Sequence, residues 1–411
     1  MELLDDIVQD APALVAIRRD IHAHPELGFK EHRTSAIVAE RLRSWGIEVH
    51  TDLAPPGLVA IVRGRDGGAC GRAVGLRADM DALPITETNT FAHASRHPGQ
   101  MHACGHDGHT AMLLAAAQSL ARRRNFDGTV YLVFQPAEEG LGGAQAMVQQ
   151  GLFTRYPMEA IFGLHNWPGM PAGAIASSPG PVMAGGSIFK VTVRGTGAHA
   201  AHPHKGVDPV VIASHAVQAF QTIVSRSVKP IDTVVISTTM IRAGEAINVI
   251  PDHCVLEGTV RTFSNEVTDL VERRMREICT HLGPAFGATL ELDFQRRVPA
   301  TVNTPYEADF AAGVMRGIVG APQVPVQEPS MASEDFSYML QACPGAYVFL
   351  GNGEGDGPHR LHGHGEGPCL LHNPAYDFND AVLPLGATYW VRLAEAWLAH
   401  THTTTRTQLP R

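Results

Sequence analysis

The 411-residue chain is longer than one hydrophobic core usually serves, and its 41 acidic and 32 basic residues give a formal net charge of -9. Because no block of lysine or arginine is long enough to follow a phosphate backbone, this composition argues against nucleic acid as a partner. The acidic amino terminus lacks the bases of a signal peptide, and no apolar run approaches the ~18 residues of a membrane span. These features predict a cytoplasmic protein of about two domains without a membrane partner.

The first part of the chain is predicted to be scaffold, with two helices followed by short strands. Apolar residues at helical spacing around Leu14 predict the first helix, which should stop before Pro25 because proline disfavours helix in the preceding residue. A second helix is expected at 34–45, where a glycine ends it. Runs of β-branched residues predict strands at 58–62 and 73–76.

Strands and helices then alternate as far as residue 164. Further strands are predicted at 129–134 and 160–164, and this alternation is typical of an α/β fold with a mostly parallel mixed sheet covered by helices on both faces. In such sheets, sites form outside the carboxyl ends of the strands. Three groups of polar residues each follow a predicted strand, and we expect them to converge there. They are Asp79 with Asp81, Glu138 with Glu139, and His165.

A glycine- and proline-rich stretch near residues 180–187 marks a change of pattern. Beyond it, strands and helices follow in the order βαββαβ, which is the signature of a ferredoxin-like split βαβ module. We therefore predict that an inserted α+β domain at 185–297 interrupts a discontinuous metal-binding domain formed by 1–184 and 298–411. That second segment should include a helix at 306–319 and a final helix at 385–400.

The stretch MHACGHDGHT at 101–110 packs one cysteine, three histidines and one aspartate into ten residues. Cys104 and His106 are two residues apart, so in a turn their thiolate and imidazole can reach neighbouring metal ions. Glu139, His165 and His372 add carboxylate and imidazole donors, and such a mixed set suits zinc, manganese, cobalt or nickel. Each side chain taken alone could instead be a hydrogen-bonding residue. Together they predict a hydrolase site with two divalent metal ions.

Three neighbours of these ligands have two interpretations each. His109 lies one helical turn after His106 and could be a further ligand, or a packing or capping residue. Asp79 and Asp81 could accept an N–H from a ligating histidine and so fix its tautomer and ring direction. The alternative for both aspartates is to cap a helix or a turn.

The adjacent glutamates of AEEG can divide two tasks, because side chains at successive positions point in different directions. Glu139 is predicted to bind metal while Glu138 acts as general base on a water whose pKa the metal lowers towards ~7. A solvated acidic pair is the alternative, which Gln135 disfavours because it ties the pair to a buried strand. Amide hydrolysis is the reaction that this arrangement suits.

The inserted domain has a polar cluster of its own, GTGAHAAHPHKGVDP. His199 stands between small residues that would let a substrate approach, which favours it as an oxyanion donor. His202 and His204 could simply belong to a solvated loop. Asn248 and Arg261 lie on adjacent predicted strands and could hold a carboxylate, although a surface ion pair is an equal alternative for the arginine.

Eight ordered motifs, spread over nearly the whole chain, resemble the aminoacylase and hippurate hydrolase branch of the co-catalytic metallopeptidases related to glutamate carboxypeptidase. These motifs are GLRADMDALPI, MHACGHDGHTAMLL, FQPAEEGLGGA, GLHNWPG, GAHAAHPHKGVDP, INVIPD, SEDFS and LHNPAYDFND. The resemblance implies a zinc-exopeptidase-like catalytic domain and an inserted domain that acts as lid and makes a homodimer or a dimer of dimers.

The resemblance also implies roles for the metal-binding residues. Cys104 would bridge two metal ions, His106 and Glu139 would complete one site, and His165 and His372 would complete the other. These five residues are the implied ligand set.

Further roles follow from the same likeness. Glu138 matches the general base, and Asp81 matches the aspartate that orients a ligand, whereas Asp79 stands where peptidase relatives carry a metal-binding histidine. His199 matches a lid histidine that commonly reaches the partner subunit's site. The groups that bind the free carboxylate of the substrate are matched by Asn248 and Arg261.

We therefore predict a metal-dependent hydrolase that cleaves N-acyl amino acids such as hippurate, with a metallo-dipeptidase or carboxypeptidase using the same residues as the nearest alternative. A cysteine hydrolase with Cys104 as nucleophile would resist chelators and leave the other ligands unexplained. A non-catalytic binding protein is the third possibility, which an intact Glu138 opposes. The loop at 351–369 is rich in histidine and glycine, and it leaves the preferred acyl group open.

Overall fold

The computed structural model describes residues 1–353 and 369–400, which form ten α-helices and fifteen β-strands. The helices are α1 (Asp5–Ala23), α2 (His32–Ser44), α3 (His106–Arg123), α4 (Gly143–Gln149), α5 (Leu152–Arg155), α6 (Pro209–Thr222), α7 (Asn265–Ala285), α8 (Pro305–Val319), α9 (Ser337–Ala342) and α10 (Leu383–Ala399). The strands are β1 (Glu48–His50), β2 (Leu58–Arg63), β3 (Ala73–Asp79), β4 (Thr129–Gln135), β5 (Ala160–Pro168), β6 (Ile175–Ala176), β7 (Gly180–Met183), β8 (Gly185–Arg194), β9 (Ala198–His199), β10 (Val234–Ala243), β11 (Val249–Ile250), β12 (His253–Thr262), β13 (Thr289–Val298), β14 (Thr301–Asn303) and β15 (Gly345–Gly353).

The chain divides into two compact units. The first comprises Met1–Gly180, Val302–Gln327 and Tyr338–Arg411, and the second comprises Pro181–Thr301 and Glu328–Ser337. Most of the histidine-rich loop at 351–369, and the polar tail after residue 400, lie outside the described residues. No helix in the described part of the chain is long and apolar enough to cross a membrane.

A seven-stranded sheet forms the centre of the first unit, in the order β1-β2-β4-β3-β5-β15-β6. The four middle strands, β4, β3, β5 and β15, run parallel, while β2 and β6 pair antiparallel at either side of them. Every residue of β3 is buried, as expected for a parallel strand in the middle of a covered sheet. The predicted mixed, mostly parallel α/β sheet is therefore confirmed.

Helix α3 has a central place in the first unit because it contacts β3 and packs against both α1 and α10. Its sequence is apolar nearly all round, and Met112, Leu113 and Leu120 are completely buried. The last helix, predicted at 385–400, buries Trp390 and Trp397. The start of α3, which carries the histidine motif, is consequently anchored by a buried helix.

The second unit contains a four-stranded antiparallel sheet in the order β10-β12-β8-β13. The elements follow one another as β8, α6, β10, β12, α7 and β13, so the predicted βαββαβ order is confirmed. One apolar cluster joins both helices to the sheet and includes Phe189, Phe220 and Val271. This unit has a core of its own.

The observed division moves the expected boundaries of 1–184, 185–297 and 298–411 to Gly180/Pro181 and Thr301/Val302, and it differs in one larger respect. The segment Glu328–Ser337, which the sequence placed in the metal-binding domain, belongs to the second unit. The backbone N–H of Ala184 donates to the carbonyl oxygens of Ser330 (2.9 Å) and Ala332 (3.0 Å). Such a long-range backbone contact has no local sequence signature.

Candidate metal centre

The turn that begins α3 places two metal-binding side chains. Gly105 precedes the helix with φ of +89°, a left-handed conformation that favours glycine. Its carbonyl accepts from the N–H groups of Gly108 (2.9 Å) and His109 (3.1 Å). A Cβ on Gly108 would lie 2.4 Å from the ring of Phe378, so glycine there also permits close packing. The local chain thus buries Cys104 at the turn and His106 as the first helical residue.

The structure brings five predicted ligands into two groups that share Cys104. The ligand atoms of Cys104, His106 and His165 lie within 4.8 Å of one another, and so do those of Cys104, Glu139 and His372. The Sγ of Cys104 is 3.3 Å from Nε2 of His165, and Nε2 of His372 is 3.3 Å from Oε1 of Glu139. We call these groups the inner triad (Cys104, His106, His165) and the outer triad (Cys104, Glu139, His372).

The same ligand atoms can be compared with the pairing that the resemblance implies. Ligand atoms of His106 and Glu139 also lie within 4.8 Å of each other, as the implied pairing of these two residues requires, while His165 is grouped with His106 and His372 with Glu139. Strand β5 continues through His165 to Pro168, so the imidazole projects from inside the strand rather than from a loop beyond it. The shared position of Cys104 is the same in both arrangements.

His372 reaches the outer triad in an unusual backbone conformation. Its φ is +65°, which a residue with a side chain rarely adopts, and its N–H donates to the carbonyl of Ala103 at 2.8 Å. That bond ties the segment of His372 to the residue before Cys104. The hydrogen bond therefore helps to bring together two ligands that are far apart in sequence.

The residues present fit a pair of divalent metal ions. Among the described residues, the buried Nε2 of His106 has no hydrogen-bond partner, which is costly unless a metal ion satisfies it. The other ring nitrogen of His106 lies 3.1 Å from Oδ1 of Asp81, and Nδ1 of His165 lies 2.6 Å from the carbonyl of Asn166. Each histidine therefore presents its Nε2 to the centre.

The pKa shifts of the buried ligands also indicate that a positive charge would stabilise the site. Burial raises the pKa of the Cys104 thiol well above its usual value, and the carboxylates of Glu139 and Glu138 raise it further. Burial alone would lower the pKa of His106, but the carboxylates of Asp79 and Asp81 outweigh it and raise that pKa to about 10. A bound divalent cation would reverse this tendency and favour a thiolate and a neutral imidazole.

Glu138 is 9% exposed and lies in the turn that follows β4. A carboxylate oxygen of Glu138 lies within 4.8 Å of ligand atoms of His106 and Glu139. Ala137, just before it, has φ of +53°, and its N–H donates to Oε1 of Glu31 at 2.7 Å. This geometry places a carboxylate beside the metal ligands, as a general base requires.

Sequence reasoning missed Glu31, which is buried at the start of α2. Burial raises its pKa to about 8, with a further contribution from the carboxylate of Asp81. Glu139 is also positioned through its backbone, since its N–H donates to Oδ2 of Asp81 at 2.9 Å. Nothing in the spacing around residue 31 indicated that this glutamate would hold the turn before Glu138.

The structure decides between the two interpretations of His109 and Asp79. Nδ1 of His109 is 2.6 Å from Oδ1 of Asp79, and the backbone N–H of Asn166 donates to its Nε2 at 3.0 Å. Because both ring nitrogens are engaged in hydrogen bonds, this geometry favours the packing and orienting interpretation of His109, whose ligand atom also lies within 4.8 Å of those of Asp79 and His106. Asp79 also accepts from Nη1 of Arg77 at 2.6 Å, so it is a buried orienting carboxylate and not a cap.

The other predicted residues lie in the second unit. His199 is exposed on β9, which pairs with β11, and the N–H of Ala200 donates to the carbonyl of Asn248 at 3.0 Å. Asn248 is therefore next to His199, and both are exposed. Arg261 is half-buried on β12, and burial lowers its pKa. Among the described residues it forms no ion pair, so the surface-pair alternative does not hold there.

The sheet, the two triads and the adjacent carboxylate define a metal-dependent hydrolase. The family model of peptidase family M20/M25/M40 matches residues 75–396, and the chain belongs to that family. It is 37% identical to a hippurate hydrolase of Campylobacter jejuni, over 97% of this chain and 100% of that protein. It is 39% identical to thermostable carboxypeptidase 2 of Saccharolobus solfataricus, over 97% of both chains. The resemblance inferred from the eight motifs is thus confirmed.

Solved structures agree with this assignment. A dinuclear metal binding peptidase of the M20 family from Bacillus subtilis superposes with a TM-score of 0.81 and 31% identity, covering 95% of this chain and 99% of that one. The likeness extends over nearly the whole length of both proteins. Two metal ions in one site are thus a property of a close structural neighbour.

Gly105→Ala is expected to destabilise the protein by roughly 2–4 kcal/mol, because an added Cβ would meet Nδ2 of Asn166 at 2.2 Å and the residue needs a left-handed φ. Urea unfolding of the metal-free protein measures this. Gly313→Ala is the matched control, since that glycine lies in α8 with no atom within 4 Å of the added Cβ. The control should stabilise the protein slightly. Equal stability of the two variants would contradict the strain argument.

Proposed function

We propose that the protein is a metal-dependent amidohydrolase that cleaves N-acyl amino acids into a carboxylic acid and a free amino acid. The observation that carries this proposal is the buried carboxylate of Glu138 beside ligand atoms of both triads. The relation to a hippurate hydrolase, whose name specifies an acylated glycine, supports the choice of substrate class.

Two divalent ions, of manganese, zinc, cobalt or nickel, would be held by the triads. Cys104, His106 and His165 would hold one, and Cys104, Glu139 and His372 the other. When bound, such ions lower the pKa of water and polarise the acyl carbonyl. The mixed thiolate, imidazole and carboxylate donors suit all four metals, so the choice among them depends on availability.

The roles of the chain's own residues follow from their positions. Glu138 accepts a proton from water as the water oxygen forms its bond to the acyl carbon. The C–N bond then breaks, and Glu138 returns the proton to the departing amine nitrogen, which balances the reaction. Asp81 holds the ring of His106 in one orientation through the 3.1 Å contact with Nδ1.

The second unit would supply substrate contacts. We propose His199 as a donor to the developing oxyanion and Asn248 with Arg261 as the groups that bind the substrate carboxylate. The exposure of His199 and Asn248 leaves both side chains available to a ligand. The guanidinium of Arg261, half-buried and without an acidic partner among the described residues, is suited to a carboxylate from outside the chain.

The test is hydrolysis of hippurate by the purified protein, compared with glycyl dipeptides, before and after chelation and with each of the four metals added back. We expect hippurate to be hydrolysed faster, activity to vanish on chelation and metal to restore it. Faster cleavage of the dipeptides would favour the alternative, a metallo-dipeptidase or carboxypeptidase, which the 39% identity to a carboxypeptidase supports. Activity that survives complete metal removal would overturn both proposals.

We further propose a cytoplasmic homodimer, or a dimer of dimers, formed through the second unit as a lid and dimerisation domain. Strand β10 lies at the edge of the four-stranded sheet and exposes Val235, Met240 and Ile241. An exposed apolar edge strand is a ready surface for pairing with a second copy. Sedimentation velocity measures the oligomeric state, and a monomer at micromolar concentration would refute the proposal.

A further inference from the structure

Asn166, the residue after His165 in β5, is completely buried and bonded through each of its four polar atoms. Its backbone N–H donates to Nε2 of His109 (3.0 Å), and its carbonyl lies 2.6 Å from Nδ1 of His165. Its side-chain Nδ2 donates to the carbonyl of Cys104 at 2.7 Å. The hydroxyl of Tyr376 donates to its Oδ1 at 2.5 Å.

These hydrogen bonds connect Asn166 to the chain segments that carry three of the predicted metal ligands. The amide side chain holds Cys104, the backbone carbonyl orients His165, and Tyr376 lies four residues after His372. We propose that Asn166 is a positioning residue that fixes the Sγ of Cys104 between the two triads, and that Tyr376 keeps its amide in the required orientation. The sequence motifs contain both residues but gave no indication of this link.

An amide is suited to this position for a specific reason. The carbonyl of Cys104 can only accept a hydrogen bond, so the side chain facing it must donate. A carboxylate of the same shape would place an oxygen against that carbonyl and against Nε2 of His109, which is 3.1 Å from Nδ2. Asn166→Asp therefore preserves volume but replaces an attraction with a repulsion.

The orientation of the Asn166 amide depends on the hydrogen bond that its Oδ1 accepts. Oδ1 accepts from the hydroxyl of Tyr376, so Nδ2 faces the Cys104 carbonyl. Asn166 and Tyr376 lie directly against the turn at Gly105. A Cβ added to Gly105 would be 2.2 Å from Nδ2 of Asn166 and 2.7 Å from the hydroxyl oxygen of Tyr376. The amide therefore packs against the same backbone that carries the thiol of Cys104.

The inference rests on the proposed metal centre, and the experiment tests the two separately. Metal-free protein is titrated with Co²⁺, and thiolate-to-cobalt charge-transfer absorption reports coordination by Cys104. Competition with a chromophoric chelator gives the affinity. Wild-type protein without the charge-transfer band would mean that Cys104 is not a ligand, so the metal-centre proposal would fail before any variant is compared.

Given a wild-type band, Asn166→Asp is expected to lower Co²⁺ affinity by about 10–100-fold and to shift or weaken the band at saturating Co²⁺. Tyr376→Phe, which removes one hydroxyl, is expected to lower affinity roughly three- to tenfold. Tyr389→Phe is the matched control, since its buried hydroxyl has no partner among the described residues. The control should bind Co²⁺ as wild type does.

Near-ultraviolet circular dichroism of the metal-free variants shows whether they fold. If Asn166→Asp does not fold, Tyr376→Phe alone decides. Wild-type affinity and an unchanged band in the folded variants would overturn the proposal. Loss of affinity in Tyr389→Phe equal to that in Tyr376→Phe would overturn it as well, because any buried hydroxyl would then have the same effect.

Discussion

Glu138→Gln is expected to lower kcat for hippurate hydrolysis by about 10²–10⁴-fold while metal content and thermal stability stay close to those of the wild type. The amide preserves the shape of the side chain but cannot accept a proton from water. Because Glu138 belongs to neither triad as a ligand, both ions should still bind. Steady-state kinetics and elemental analysis of the same preparation measure the two quantities.

Glu307→Gln provides the matched control for this variant. Glu307 is also 9% exposed and lies in α8 of the first unit, so the substitution makes the same chemical change at similar burial. Its activity should stay near that of the wild type. If Glu138→Gln retained more than about a tenth of the wild-type kcat, the loss would be far smaller than expected. Glu138 would then not be the general base.

Cys104→Ala is expected to remove both metal ions and with them the activity, since its sulfur belongs to both triads. Substitution of a ligand used by only one triad, such as His165, should leave part of the second site in place. Elemental analysis after gel filtration distinguishes these cases. We expect metal content well below one ion per chain for Cys104→Ala.

Cys343→Ala is the control for the loss of a buried thiol. Cys343 is likewise buried in the first unit, and burial raises its pKa to about 12, so it remains a neutral thiol at physiological pH. Its metal content and activity should be those of the wild type. A Cys104→Ala variant that keeps both ions but loses activity would instead indicate a nucleophilic cysteine.

The parts of the site that depend on strand ends could be predicted from the sequence. Strand β3 extends three residues beyond its predicted end, to Asp79, and β4 ends at Gln135, so Asp81 and Glu138 follow these strands at the same edge of a parallel sheet. The end of β5 was wrong by four residues. Its last residues pair with β15, with His165 opposite Phe349, and a partner strand about 180 residues away leaves no local pattern.

The contacts that orient the ligands could not be predicted, for the same physical reason. Tyr376 and Asn166 are 210 residues apart, and Glu31 and Ala137 are 106 apart. Each of these pairs meets only after the sheet and helices have packed. Periodicity and turn chemistry describe neighbours along the chain, so they locate the ligands but not the groups behind them.

The two triads differ in how the chain assembles them. Residues 104–165 supply every donor of the inner triad, and the strand β3 that lies between β4 and β5 in the sheet comes earlier in the chain. The outer triad is complete only when His372, about 270 residues after Cys104, is in place. The side chain of His372 is 52% exposed, whereas His106 and His165 are buried. During synthesis, one ion-binding pocket can therefore form on a nascent chain, while the other closes only when the carboxyl-terminal segment has left the ribosome and docked.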